Sequence, residues 1–174
     1  MKIACVLGPD FEDSEFRVPF DRFVAGGHKV TVVGLDRGAT LNGKKGTEKI
    51  DADLGIDEAR AEDFDALFIP GGHSPDALRG DERMVAFIEK FADKPIFAIC
   101  HGPQLLLSAG MVKGRTMTAW KTVQGDLKYA GARVLDKDVV VDRKLVTSRK
   151  PDDLDAFTRE SLRLLESSAS AHAA

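Results

Sequence analysis

Short apolar runs alternate with longer amphipathic stretches along almost the whole chain. Residues 3–7 are apolar and end on Gly8-Pro9, which predicts a buried strand. A helical stretch follows to about Ala25 and closes on Gly26-Gly27. Residues 30–35, β-branched and apolar, predict a second strand, and residues 38–53, rich in Gly, Lys and Thr, a hairpin or irregular excursion. Ala66-Leu67-Phe68-Ile69 is a third strand, stopped by Pro70-Gly71-Gly72. Residues 82–91 have helical spacing, 95–99 form a fourth strand, and 101–109 a helix closed by Gly110. Further short strands fit near 115–118, 138–141 and 144–147, with helices near 121–129 and 152–166. Strands that are apolar throughout, each separated by a helix or a long connection, imply a parallel sheet covered on both faces. No linker divides the chain, so residues 1–166 read as one α/β domain. Residues 167–174, small with one His, read as a frayed tail.

In such a sheet, chemistry collects at the carboxyl ends of the strands. The junction Ala98-Ile99-Cys100-His101-Gly102-Pro103-Gln104 takes a buried strand into a helix without a loop. Cys100 must therefore absorb the whole turn, as in a nucleophile elbow, although the residues do not match the serine-hydrolase pattern. Gly102 removes bulk beside it and Pro103 suits a first helical turn. A thiol at a helix N-terminus is expected to have a lowered pKa. Against this stands the bland reading of a small buried residue, which is the reading given to Cys5 inside the first strand. After the third strand, Gly71-Gly72 lets backbone amides approach a ligand closely, so the amides of Gly72 and His101 could form an oxyanion hole. Taken alone, Gly-Gly is an ordinary turn. Pro19 should kink or restart the first helix and bring Glu15 toward the same edge. A protonated carboxyl there could donate to a thiolate, whereas Glu12 and Glu15 taken alone read as solvated first-turn acids. Adjacent helical residues do not face each other, so Cys100 and His101 can pair only if the elbow twists the backbone. His28 reads as surface at the start of a strand and His73 as the rim of the pocket.

Composition narrows the classes. The 174 residues carry 25 basic and 28 acidic side chains, a net charge of −3, with no basic stripe for nucleic acid. No apolar stretch reaches membrane-spanning length, and residues 1–8 do not read as a secretory signal. Two cysteines exclude a disulfide scaffold and a cysteine-built zinc site, so a reducing cytoplasmic setting is expected, with no metal and no cofactor.

Taken together, Glu12-Asp13-x-Glu15 ahead of Pro19, Gly71-Gly72 and Ala98-Ile99-Cys100-His101-Gly102-Pro103-Gln104-Leu105-Leu106 closely resemble the PfpI family. That family lies in the superfamily of the parkinsonism-associated protein deglycase and shares a flavodoxin-like three-layer sandwich with class I glutamine amidotransferases. The resemblance covers residues 2–165 and includes the Thr147-Ser148-Arg149-x-Pro151-x-Asp153-Leu154 segment. It implies Cys100 as nucleophile, His101 as base, Glu15 as the carboxyl against the sulfur, and Gly72 and His101 as backbone donors. Asp76 stands where some hexameric members have a Glu that crosses a subunit interface to orient the His. Trp120 matches an aromatic position lining the pocket, and a homo-oligomer, dimer or hexamer, is implied.

The resemblance implies a cysteine-dependent stress-protection enzyme acting on small reactive carbonyls or on glycated, otherwise modified or unfolded proteins. Two other readings stand beside it: a peptidase using the same thiolate, and a non-enzymatic redox or stress sensor or chaperone in which Cys100 is oxidised. Glutamine amidotransfer is disfavoured, because after His101 the only histidine is His172.

Overall fold

In the computed structural model, which describes residues 1–173, the chain begins with β1 (Lys2–Val6), α1 (Asp13–Ala25) and β2 (Lys29–Gly34). A hairpin of β3 (Thr40–Asn42) and β4 (Lys49–Asp51) follows, then β5 (Leu54–Gly55) and β6 (Ala66–Ile69). Next come α2 (Ser74–Arg79), α3 (Glu82–Glu89), β7 (Ile96–Ile99) and α4 (Pro103–Ser108). The chain continues through β8 (Thr116–Met117), α5 (Lys121–Tyr129), β9 (Arg133–Val134), β10 (Val139–Asp142), β11 (Leu145–Ser148) and α6 (Leu154–Ala173).

Seven strands form one sheet in the order β10-β11-β7-β6-β1-β2-β5, parallel throughout except for the antiparallel β10–β11 pair. Both faces are covered, which is why the central strands β6 and β7 are apolar and buried at every position. Ile3, Cys5, Phe68 and Phe97 pack on one face with Phe16 and Phe23 of α1 and Phe157 of α6. Ala4, Leu67, Ile69 and Ala98 face the other way, onto Leu78, Met84, Leu105 and Val123 of α2 to α5. Burial of this apolar surface is the main source of stability, at about 25 cal/mol per Å².

Several boundaries differ from those the sequence suggests. Residues 74–79, to which the sequence pattern assigns no element, form α2, because Pro75 and Asp76 are well suited to a first helical turn. The helix after β7 starts at Pro103, since the Gly102 amide donates to the Ile99 carbonyl at 2.8 Å in a tight turn that occupies residues 100–102. α1 runs through Pro19 as one helix. α6 continues past residue 166 to Ala173, with the hydroxyls of Ser167 and Ser170 donating to the carbonyls of Leu164 and Glu166 at 2.9 and 3.1 Å. Position 174 of the expected tail lies outside the described residues. Among the described residues no helix is long and apolar enough to cross a membrane.

Candidate active site

Three strand ends meet at one edge of the sheet, and main-chain bonds lace the segments that leave them. Phe11 bridges to Gly72 on one side and to Gly43 of the hairpin loop on the other. The Glu12 amide donates to the Gly71 carbonyl at 3.1 Å, that of His73 to Asp10 at 2.8 Å, and that of Lys44 to Phe11 at 2.9 Å. The floor of the site is thus backbone.

Cys100 occupies the left-handed region, with φ of 61°. A non-glycine residue there is strained, and here the conformation is held from both sides. Its amide donates to the Ser148 carbonyl at 3.0 Å, and its own carbonyl accepts from the Trp120 amide at 2.9 Å. The turn brings Sγ to 3.3 Å from Nδ1 of His101, so these neighbours pair as they could not on a regular helix. The glycines beside the elbow have no room for a side chain. A Cβ at Gly71 would overlap Glu15 Oε2 and lie 2.7 Å from Cys100 Cβ; one at Gly102 would lie 2.6 Å from the Ile69 carbonyl oxygen.

Glu15 has no solvent exposure, and neither carboxyl oxygen has a hydrogen-bond partner of ordinary geometry. The groups facing it are the Cys100 sulfur and the Gly71 amide. Burial, then the charge of Glu12, push its pKa up to about 8, so the carboxyl keeps its proton at neutral pH. Cys100, only 7% exposed, is also pushed up: burial acts first, followed by the charge and hydrogen bond of Glu15. The amides of His101 and Gly72 act against this rise by donating to the sulfur. The expectation of a lowered thiol pKa is therefore corrected, because burial and the neighbouring carboxyl outweigh the amide donors. Thiol with carboxylate and thiolate with carboxylic acid are two arrangements of one pair, and a second ionisation would place two negative charges in one buried space. The Gly72 and His101 amides address the sulfur itself.

The imidazole of His101 is held below its ordinary pKa by burial and by the charges of His73 and Lys44, against the opposing charge of Asp76. It is thus neutral at pH 7 and able to accept a proton. Its ring stacks on Trp120, with centroids 6.2 Å apart. Asp76 is exposed on α2 and makes no hydrogen bond to His101 within the described chain.

Glu12 is buried rather than solvated. Its Oε2 accepts from the Glu15 amide at 2.9 Å and the Ser14 hydroxyl at 2.6 Å, capping α1, while Oε1 accepts from Lys45 Nζ at 2.6 Å. Burial raises its pKa, but Lys45, Ser14 and the Glu15 amide reverse the sign and hold it below the usual range. Asp13 is buried too, and accepts from the amides of Lys45, Thr47 and Glu48 and from the Thr47 hydroxyl.

The sulfur opens into a cleft of about 210 Å³ lined by Glu12, Glu15, His101 and Trp120, together with Lys44, Lys45 and Pro151. Cys100, His101, Glu15, Glu12, Gly71, Gly72 and Trp120 are therefore brought together, and Asp76 acts on His101 through its charge without a hydrogen bond. Sequence reasoning missed the two lysines and gave Asp13 no role beyond its place in the Glu12-Asp13-x-Glu15 motif. The signal for the lysines was a Gly-Lys-Lys-Gly tip at residues 43–46, and nothing in its spacing says which strand end it covers. Cys5 lies fully buried in β1, where burial, reinforced by Asp53, raises its pKa well above the ordinary value.

Residues 1–164 match the DJ-1/PfpI family. Protein/nucleic acid deglycase 2 of Escherichia coli (strain K12) is 54% identical over 167 residues, 94% of this chain and 97% of the relative. General stress protein 18 of Bacillus subtilis (strain 168) is 52% identical over 168 residues, 95% of this chain and 98% of the relative. Another relative from that organism, named provisionally as a cysteine protease, is 46% identical over 167 residues, again 95% and 98% of the two chains. A solved two-domain protein from Anabaena variabilis, with DJ-1/ThiJ/PfpI-like and ferritin-like domains, superposes with a TM-score of 0.92 at 36% identity. The match covers 95% of this chain and 48% of that one, so this chain spans about half of the two-domain protein.

Proposed function

The chain belongs to the DJ-1/PfpI family, and on that footing we propose that it is a cysteine-dependent enzyme of stress protection acting on reactive carbonyls or their adducts. The observation that carries the reading is a sulfur on a left-handed elbow, 3.3 Å from a neutral imidazole and against a carboxyl that holds its proton at pH 7.

For a dicarbonyl such as methylglyoxal, the sulfur adds to the aldehyde carbon. The S–C bond forms, the C=O π pair moves to oxygen, and the thiol proton passes through His101 to that oxygen, giving a hemithioacetal. The carbon-bound proton moves to the neighbouring carbonyl oxygen, giving an enediol. The first hydroxyl then gives up its proton as the second carbon takes one up, which leaves a thioester, and water cleaves the thioester to lactate with return of the thiol. No electrons are exchanged with a second reactant. Glu15 keeps the pair to a single negative charge, and the amides of Gly72 and His101 offset that charge while it resides on sulfur.

The test is methylglyoxal loss and lactate formation by wild type, Cys100→Ser and Glu15→Gln. Loss of the nucleophile is expected to remove at least about 10³-fold of the rate, and loss of the carboxyl proton about 10²-fold. A Cys100→Ser enzyme as fast as wild type would refute the proposal. Peptide hydrolysis in place of carbonyl loss, abolished in Asp76→Ala, would move the assignment to the peptidase reading.

A further inference from the structure

A second hollow, of about 250 Å³, adjoins the reactive cleft. Trp120 lines both, and Lys150 in the wall of one is followed by Pro151 in the wall of the other. The second hollow is also walled by Lys121, Asp136 and Arg149. Arg149 is committed to Asp153 at 3.0 Å and to Asp136 at 3.1 Å, so these groups largely cancel. Two cations remain. Lys121 makes no ion pair among the described residues, although its charge reaches Asp136. Lys150 has only a 3.4 Å contact with the exposed Asp152. On the reactive side Lys44 makes no ion pair either, and its charge reaches both Glu15 and the His101 ring. Its backbone is fixed by donation to the Phe11 carbonyl, so the cation stands at the mouth of the cleft on a pinned loop. The negative charge of Glu12 is matched by Lys45, and Glu15 is protonated at neutral pH.

The sulfur therefore lies on a nearly neutral floor beneath a cationic rim. Between the lysines stands one large apolar surface, the 36% exposed indole of Trp120. We propose that the cleft at Cys100 and the hollow behind Trp120 form one anion-selective binding site. A substrate presents its carbonyl to the sulfur while a carboxylate or phosphate it carries is received by Lys44, Lys121 and Lys150, and the connecting portion lies on Trp120. The choice of a carbonyl substrate rests on the function proposed above; the preference for charge does not. Cations around a cleft with low-dielectric walls focus the field and speed capture of anions.

Alkylation of Cys100 by iodoacetate and by iodoacetamide tests this without reference to turnover. Each reagent forms one S–CH2 bond and releases iodide, and they differ chiefly in charge. Cys5, fully buried, does not compete. The iodoacetate-to-iodoacetamide rate ratio, divided by that of free cysteine, is expected to be about tenfold above unity at low salt. It should fall toward unity near ~1 M salt, where the screening length is a few ångströms. Lys44→Met and Lys121→Met, both at exposed positions, should each lower the ratio about threefold. Inorganic phosphate and acetate are then compared as protectants: stronger protection by phosphate assigns a phosphate-bearing substrate, stronger protection by acetate a carboxylate. A wild-type ratio at unity, indifferent to salt and to both substitutions, overturns the proposal. Absence of carbonyl turnover with the ratio still elevated would defeat the carbonyl reading and leave the anion site standing.

Discussion

At the scale of the residue, Glu15 decides how the centre behaves with pH. Its carboxyl is ordinary in the unfolded chain and held at about 8 in the folded one. Below about 4.5 both states bind the proton, and the group has no effect on stability. Between about 4.5 and 8 the folded state holds a proton that the unfolded state has released, so stability falls as pH rises. Glu15→Gln removes the titration. Urea denaturation at pH 5 and pH 9 should show the variant gaining on wild type by about 4 kcal/mol over that interval. A difference independent of pH would mean that the carboxyl titrates normally. Gly71 belongs to the same scale. Gly71→Ala places a methyl against Glu15 and Cys100, and should cost about 1–3 kcal/mol through overpacking. Turnover should fall at least about 10²-fold as the pair is displaced, measured alongside the thermal midpoint.

At the scale of the element, the start of α1 and the tip of the β3–β4 hairpin behave as one unit. Asp13 holds three amides of the tip, and Glu12 holds its lysine. Asp13→Ala should cost about 2–4 kcal/mol, because the amides and hydroxyl it satisfied lose a buried charged acceptor. Hydrogen exchange at Lys45, Thr47 and Glu48 should rise ahead of exchange at β1; equal protection in the variant would show that the loop holds itself. This is also where the sequence could be followed only part of the way. The parallel strands were legible because residues such as those of β6 and β7 are apolar on both faces, and the elbow because Ile99-Cys100-His101-Gly102-Pro103 leaves no loop. The Cys100–His101 contact depends on a single φ angle, and the direction of the thiol shift on burial. Neither is written in local spacing. Lys44 and Lys45 reach the site through pairings such as Phe11 with Gly43, between segments far apart in the chain.

At the scale of the whole molecule, net charge is a poor guide to what a cleft receives. The chain carries −3 overall, yet four lysines line the two hollows at its reactive end. The expectation against nucleic acid was drawn from that overall figure, and the name of the Escherichia coli relative includes nucleic acid. Among the described side chains, Leu165 is the last fully buried apolar one of α6. Truncation after Glu166 removes mainly exposed residues, and should lower stability by less than about 1 kcal/mol with the thermal transition still cooperative. A loss several times larger would show that the final turns of α6 carry packing of their own.

The lacing of residues 10–12 between the hairpin tip and the double-glycine bend has a consequence for how such a protein can change. Because that platform is made of peptide groups, exchanging Lys44 leaves every bond in it intact. The fringe can then be exchanged while the platform keeps its shape, and what such an exchange carries inward to Glu15 and His101 is charge alone.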